Sequence, residues 1–141
     1  MNVASLATSV AQAITAMPVS PALVAVRGMA PVRSIEEMVG GVSIRVLPRR
    51  RRTEQIGRNS YLQTIGVDIV VQERTGDDDA RCEQLIALVE SIDAHLRGVA
   101  IGDARWFSSE SMNDLPIFED HLREHGLFTS VLAVDYRVDV P

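Results

Sequence analysis

Apolar residues recur at helical spacing near the start of the chain. The positions three or four residues apart are Val3, Leu6, Ala7, Val10, Ile14 and Met17. Serine, threonine and glutamine side chains fill most of the positions between them. The pattern predicts an opening amphipathic helix, which ends before Pro18 because proline disfavours helical conformation in the residue before it.

A second helix is predicted after the acidic run at residues 77–79. Its apolar stripe is Cys82, Leu85, Ile86, Val89, Ile92 and Leu96. The acidic run complements the positive end of the helix dipole, and Gly98 fits the C-terminal cap. Because Cys82 falls on the apolar face, we interpret it as a small buried hydrophobe and not as a reactive thiol.

Alternation of apolar and polar residues predicts four strands. They cover residues 42–46, 61–73, 104–112 and 128–140, and a weaker apolar run covers 23–26. The first half of the last strand is apolar on both faces, including Val131 and Ala133, which predicts a central place in the sheet. Strands 61–73 and 128–140 exceed the usual length of about five or six residues, so we expect their ends to extend beyond the domain.

The remaining segments predict short elements and one long connection. Residues 34–38 can form a helical turn, and residues 114–125 a short helix that stops at Gly126. Pro48 and the arginines after it are expected to end the strand at 42–46. A polar connection centred on residues 49–58 then leads to the next strand.

Together these elements predict an α/β chain of the α+β type, folded as a single domain over residues 1–141. We expect a mostly antiparallel or mixed sheet of four or more strands with two main helices packed on it. The apolar content of 46% and charged content of 23% are typical of a globular protein. No apolar run approaches the roughly 20 residues that span a bilayer, so we expect a soluble protein without a membrane partner.

The charge pattern argues against nucleic-acid binding by the whole surface. The formal net charge is −5, whereas nucleic-acid-binding domains usually carry a strongly basic face. All 14 basic residues are arginine. Each cation is therefore a planar guanidinium, which suits bidentate contacts with carboxylates or phosphates.

Candidate catalytic and metal-binding motifs are weak. His121, Glu124 and His125 match the H-x-x-E-H string of a class of zinc peptidases, but a third ligand and a cleft are needed, and only a strand follows. The run at residues 77–79 lacks the spacing of a calcium loop. The serines near Trp106 lack a nucleophile elbow, and no phosphate-binding glycine loop is present. We therefore expect no enzyme activity, no catalytic residues, no metal and no cofactor.

The run Arg49, Arg50, Arg51 and Arg52, with Arg58 further along, is the feature that the fold alone does not explain. It can be a solvated loop, as charge runs usually are. It can pair with carboxylates of a neighbouring subunit, or it can touch nucleic-acid phosphates without reading sequence. We name these five arginines as candidate contacts of a subunit interface or of a DNA-containing lumen.

The layout of the whole chain resembles the tail terminator, or neck, proteins of long-tailed bacteriophages, and more loosely other head–tail joining proteins. The resemblance lies in the order of its parts: an N-terminal helix, the segment 42–48, a polar loop with Arg58, a long strand 61–71, the helix after residues 77–79, a strand with Trp106 and Glu110, the turn with Pro116 and Phe118, and the closing strand 128–138.

This resemblance implies a structural virion protein without catalytic residues. Such a protein assembles as a ring, usually of six copies, in the host cytoplasm, caps the finished tail tube and joins it to the head. Its partners would be other copies of itself, the tail tube protein and a head–tail connector or stopper protein, with genomic DNA passing through the lumen unread. Replacing residues 49–52 with serine is expected to weaken assembly and leave the monomer folded.

Three other functions stay open. The chain can be a different connector, stopper or minor tail protein, distinguished by the partner it binds. It can be a small nucleic-acid-binding accessory domain that uses the arginine run, with salt-sensitive binding. It can be a small enzyme or metalloprotein that uses His121, Glu124 and His125, which would hold stoichiometric zinc.

Overall fold

The computed structural model describes residues 1–19, 22–29, 41–111 and 118–140. Eight elements follow one another along the chain: α1 (Val3–Thr15), β1 (Ala25–Arg27), β2 (Ser43–Gly57), β3 (Ser60–Arg74), α2 (Asp79–Gly98), β4 (Arg105–Ser111), α3 (Glu119–His125) and β5 (Leu127–Val140). The predicted helical turn at residues 34–38 lies outside the described residues, as does the start of the predicted helix at 114–125.

The strands form one five-stranded sheet in the order β1-β2-β3-β5-β4. β1 is parallel to β2, and the other neighbours are antiparallel. The structure therefore confirms the prediction of a mixed sheet in an α+β chain. β5 lies between β3 and β4, as its apolar first half predicted.

The two main helices begin at side-chain caps. In α1, Asn2 accepts a hydrogen bond from the Ser5 backbone N–H, and the Ser5 hydroxyl accepts one from the Asn2 backbone N–H. In α2, the Asp78 carboxylate accepts a hydrogen bond from the Arg81 N–H. The prediction that Gly98 caps α2 is wrong. Gly98 is the last helical residue and lacks a positive φ, and Val99 follows in extended conformation.

One hydrophobic core joins α1 and α2 to the sheet. Its fully buried members include Leu6, Val10, Ile14, Ile65, Val67, Val71, Leu85, Ile92, Leu96, Phe128, Val134 and Tyr136. Alternate residues of β3 and β5 point to this side because side chains alternate across a strand. The opposite side of the sheet is called the outer face below. None of the described helices is long and apolar enough to cross a membrane.

β2 and β3 form a hairpin of two long strands, which contradicts the predicted connection at residues 49–58. β2 does not end at Pro48: pairing with β3 continues to Gly57, and the chain turns at Arg58 and Asn59. Pro48 is tolerated because β1 pairs only with Ile44–Val46, so that β2 is an edge strand at Pro48, and a register shift follows it. The four consecutive arginines therefore lie in a strand.

Candidate functional site

The outer part of the β2–β3 hairpin is exposed on both faces. Every residue from 51 to 61 is exposed, and this segment is called the distal arm below. Among the described residues, β2 has only β3 as a neighbour along the arm, since its pairing with β1 ends at Val46. The arm thus presents an open strand edge, which is a template for pairing with another chain.

Three large apolar side chains lie exposed around the tip of the arm. Ile56 is 59% exposed, Tyr61 39% and Val140 36%. Tyr61 lies opposite Gln55 on β2 and opposite Val140 on β5, which brings the three side chains to the same end of the sheet. An exposed apolar group at the end of a projecting element is typical of a protein contact.

The arginine run divides into two pairs with different environments. Arg49 and Arg50, at the root of the arm, both contact the buried carboxylate of Asp68 on β3. The Nε of Arg49 lies 3.3 Å from Asp68 Oδ2, and Nη1 of Arg50 lies 2.8 Å from Oδ1. Both oxygens of a carboxylate that is only 9% exposed are thereby satisfied. This pair of arginines is part of the fold.

Arg50 also crosses β3 to reach β5. Its Nε donates to Asp135 at 3.0 Å, and its Nη2 donates to the carbonyl of Val67 at 3.2 Å. The guanidinium passes over Gly66, where a Cβ atom would lie 2.5 Å from the Arg50 Nε and would also collide with the Asp135 carboxylate. Gly66 therefore leaves the space in which three strands are tied together on the outer face.

The bridging position keeps Arg50 charged. Burial alone would lower the pKa of Arg50, but the hydrogen bonds and charges of Asp68 and Asp135 together raise that pKa above its ordinary value. The guanidinium of Arg50 is therefore a cation at neutral pH.

Arg51 and Arg52 lie on the distal arm itself. Arg52 contacts Glu54 two residues along the strand, and its side chain is 76% exposed. Arg51 and Arg58 are exposed as well, the latter in the turn at the tip. The prediction that residues 49–52 can all be replaced without loss of the fold therefore needs revision, since only Arg51 and Arg52 are clear of the buried network.

Beside the arm, an open groove of about 640 Å³ runs across the outer face. Its lining residues are Arg49, Arg50, Arg51, Arg52, Glu54, Thr64, Phe107, Asp135 and Arg137. The Arg137 guanidinium lies over the Phe107 ring, with Cζ 3.5 Å from the ring centroid. The Nε of Arg137 is buried and has no hydrogen-bond partner among the described residues.

The histidine motif is not arranged as a metal site. The Nδ1 of His121 lies 3.0 Å from the Thr129 hydroxyl, and its ring stacks on Phe118. His125 is exposed, with Nε2 3.9 Å from the carboxylate of Glu124. Within the described parts of the chain, no group of three or more histidine, cysteine, aspartate or glutamate side chains could hold a metal ion.

The other candidate nucleophiles have structural partners. Cys82 is buried, as predicted, and its thiol donates to the Thr75 hydroxyl at 3.4 Å. Ser109 donates to Asp93 on α2 at 2.6 Å, which ties β4 to that helix. Neither residue lies beside a histidine in the contacts that the structure describes.

Sequence reasoning selected the arginines and missed the groups that surround them. Asp68 and Asp135 each follow a valine within an apolar stretch of their strands, and a carboxylate at such a position was a usable signal for a charged partner. Phe107 and Arg137 gave no such signal, because they lie on different strands and meet beside a register shift in β4 between Trp106 and Ser108. No protein-family model matches the chain, and no curated protein matches it either.

Proposed function

We propose that the chain is a structural subunit that assembles into a ring, as the tail terminator proteins of long-tailed bacteriophages do. The observation that carries the proposal is the distal arm, a paired and fully exposed segment with an apolar tip. The N-terminal helix, the long paired strands and the closing strand follow the order on which the resemblance to that family rests.

The arm contributes little to the stability of the single chain. Ordering each residue costs about 1–2 kcal/mol of conformational entropy, and the exposed side chains of the arm offset little of this by burial. A long exposed edge also carries a risk of aggregation, against which arginines are a common protection. A contact with another copy would offset the cost of the arm, because such a contact would bury Ile56 and Tyr61 and pair the open strand edge.

Ring closure requires two different surfaces on each copy. The tip of the arm supplies one of them, and it must meet a different patch on the next copy, since identical patches facing each other would give a closed dimer. The family resemblance implies six copies, a tail tube partner on one side of the ring and a connector or stopper protein on the other. Genomic DNA would pass through the lumen of such a ring.

The test is the absolute mass of the purified protein by light scattering during gel filtration, with negative-stain images of any large species. We expect annular particles of about 90 kDa, the mass of six 15.4 kDa subunits. The double variant Ile56→Ser with Tyr61→Ser should remain monomeric and folded. Val24→Ser, which removes an exposed apolar side chain outside the arm, is the matched control and should still form rings.

Two results would count against the proposal. A wild-type chain that stays at 15.4 kDa at high concentration, with and without tail tubes, would remove the ring. Rings that form equally well in the arm variant would remove the arm from the interface. A partner search separates the neck layers, because a terminator binds both the tail tube and a head–tail connector protein.

A further inference from the structure

We propose that the outer face of the sheet carries a phosphate-binding site at Thr64, between Arg52 on β2 and Arg137 on β5. The site belongs to a single chain and does not depend on ring formation. Its ligand class is a phosphate group, either a phosphodiester of a nucleic-acid backbone or free inorganic phosphate.

The strand register brings the donors together. Arg52 lies directly opposite Thr64, and Thr64 lies directly opposite Arg137 on its other side. Side chains that are direct cross-strand neighbours have Cβ atoms about 4.5–5.5 Å apart and point to the same face. Two guanidinium groups and one hydroxyl therefore flank a single position, and they offer N–H and O–H donors to an anion held there.

Arg137 is held in place without being neutralised. Its guanidinium stacks on Phe107 at 3.5 Å, and it makes no ion pair with a carboxylate within the described parts of the chain. Its cross-strand neighbour on β4, Arg105, is in contrast paired with Asp139 at 3.1 Å. A cation fixed by an aromatic ring keeps its positive field, and it loses little side-chain entropy when it binds an anion.

The charge of the groove is opposite to that of the whole molecule. The groove is lined by five arginines and two acids, although the chain has a formal net charge of −5. Both acids are already engaged, Asp135 by Arg50 and Glu54 by Arg52. The contact of Arg52 with Glu54 is exposed, and exposed pairs are worth only about 0–1 kcal/mol, so that Arg52 can turn towards a phosphate at little cost.

The shape of the site favours a phosphate on a flexible or extended ligand. The groove of about 640 Å³ is open and not an enclosed pocket, and no base-reading arrangement of amide side chains lines it. Recognition would therefore be electrostatic and independent of sequence, which makes it sensitive to salt. Phe107, which is 45% exposed, can also contact an unpaired base.

The direct test is a titration of isotope-labelled protein with inorganic phosphate, followed through the Thr64 amide and the arginine Nε–H signals. Saturable shifts confined to Thr64, Arg52 and Arg137 support the site. Arg137→Gln and Arg52→Gln should each weaken phosphate binding at least several-fold. The control Arg74→Gln, which removes an exposed arginine at the far end of β3, should leave the binding unchanged.

A second arm of the experiment identifies the source of the phosphate. A labelled DNA strand that competes with phosphate at Thr64 points to a nucleic-acid backbone, and Arg137→Gln should then reduce the log–log salt slope of DNA binding by about 1. Phosphate binding at Thr64 without DNA binding points to the free ion. Shifts that are spread evenly over all arginines, or that persist in Arg137→Gln with an unchanged melting temperature, would overturn the site.

Because Ile56 and Tyr61 do not line the groove, the arm variants separate this proposal from the ring. Rings without phosphate shifts would overturn the site and leave the ring in place. A wild-type protein that stays monomeric and still shows the localised shifts would overturn the ring and leave the site in place.

Discussion

The two halves of the β2–β3 hairpin are built from the same pair of strands and have opposite environments. In the inner half, every residue of β3 from Ile65 to Glu73 is buried, so both faces are covered. In the distal arm, every residue from 51 to 61 is exposed on both faces. The backbone pairing is continuous across the boundary, apart from a register shift after Pro48.

The comparison shows that strand pairing and core formation are separate properties of this chain. The inner half is fixed by apolar burial, which is worth about 25 cal/mol per Å². The arm is held by its hydrogen-bond ladder and by the Arg50 bridge at its root. Substitutions in the inner half should therefore change folding, whereas those in the arm should change assembly.

The largest expected effect is a difference in stability between two variants, each of which replaces one isoleucine in one half of the hairpin. Ile69, which is 1% exposed, lies in the core of the inner half, and Ile69→Ala should lower the free energy of unfolding by about 2–5 kcal/mol because it leaves a cavity. Ile56→Ala at the arm should change it by less than about 0.5 kcal/mol. Urea denaturation of both variants under monomeric conditions measures the difference. Equal losses would mean that the arm is part of the core.

The next largest effect is a difference in stability between substitutions of two neighbouring arginines, Arg50 and Arg51. Arg50→Met leaves the buried carboxylate of Asp68 with Arg49 as its remaining partner, and it should cost about 1.5–3 kcal/mol of unfolding free energy. Arg51→Met removes a neighbouring exposed arginine and should cost less than about 0.5 kcal/mol. Thermal unfolding at constant salt compares the two. A neutral Arg50→Met would show that Asp68 does not need the bridge.

A steric test of the same boundary uses Gly66. In Gly66→Ala the new methyl group would collide with Arg50 and Asp135, so we expect a loss of about 1 kcal/mol or more. Gly98→Ala adds a methyl group in open space at the end of α2 and should be neutral or stabilising. Chemical denaturation measures both. If Gly66→Ala were also neutral, the guanidinium could cross the sheet by another path.

The smallest expected effect lies within the core. The Tyr136 hydroxyl is buried without a hydrogen-bond partner in the described residues, and burial, together with the charge of Asp93, raises its pKa far above the ordinary value. An unsatisfied buried hydroxyl costs free energy, so Tyr136→Phe should raise stability by up to about 1 kcal/mol. Differential scanning calorimetry can resolve this change. A clear loss of stability would reveal a partner for the hydroxyl.

The sequence predicted those elements in which one side is apolar. α1, α2, β3 and β5 all lie where the hydrophobic pattern indicated, because the core selects apolar residues at a regular period. The distal part of β2 was missed because neither of its faces is buried, so the periodic signal of a strand is absent. Pro48 added a misleading end signal, which its place on an edge strand explains.

The sequence predicted which residue types form the candidate site, but it did not predict their contacts. Four consecutive arginines mark the region, but whether each one faces a carboxylate or solvent depends on the register with β3. The bridge from Arg50 to Asp135 joins residues 85 positions apart, and Arg137 stacks on Phe107 of a neighbouring strand beside an irregularity in β4. Such contacts between distant segments leave no local pattern.

The most direct test of the arm as an intersubunit contact is photo-crosslinking from its tip. A photoreactive amino acid placed at position 56 should give covalent products at multiples of 15.4 kDa, up to a closed ring of six copies. The same probe at Glu90, an exposed position on α2, serves as the comparison and should give few such products. Crosslinks from position 56 that stay within one chain under ring-forming conditions would contradict the account.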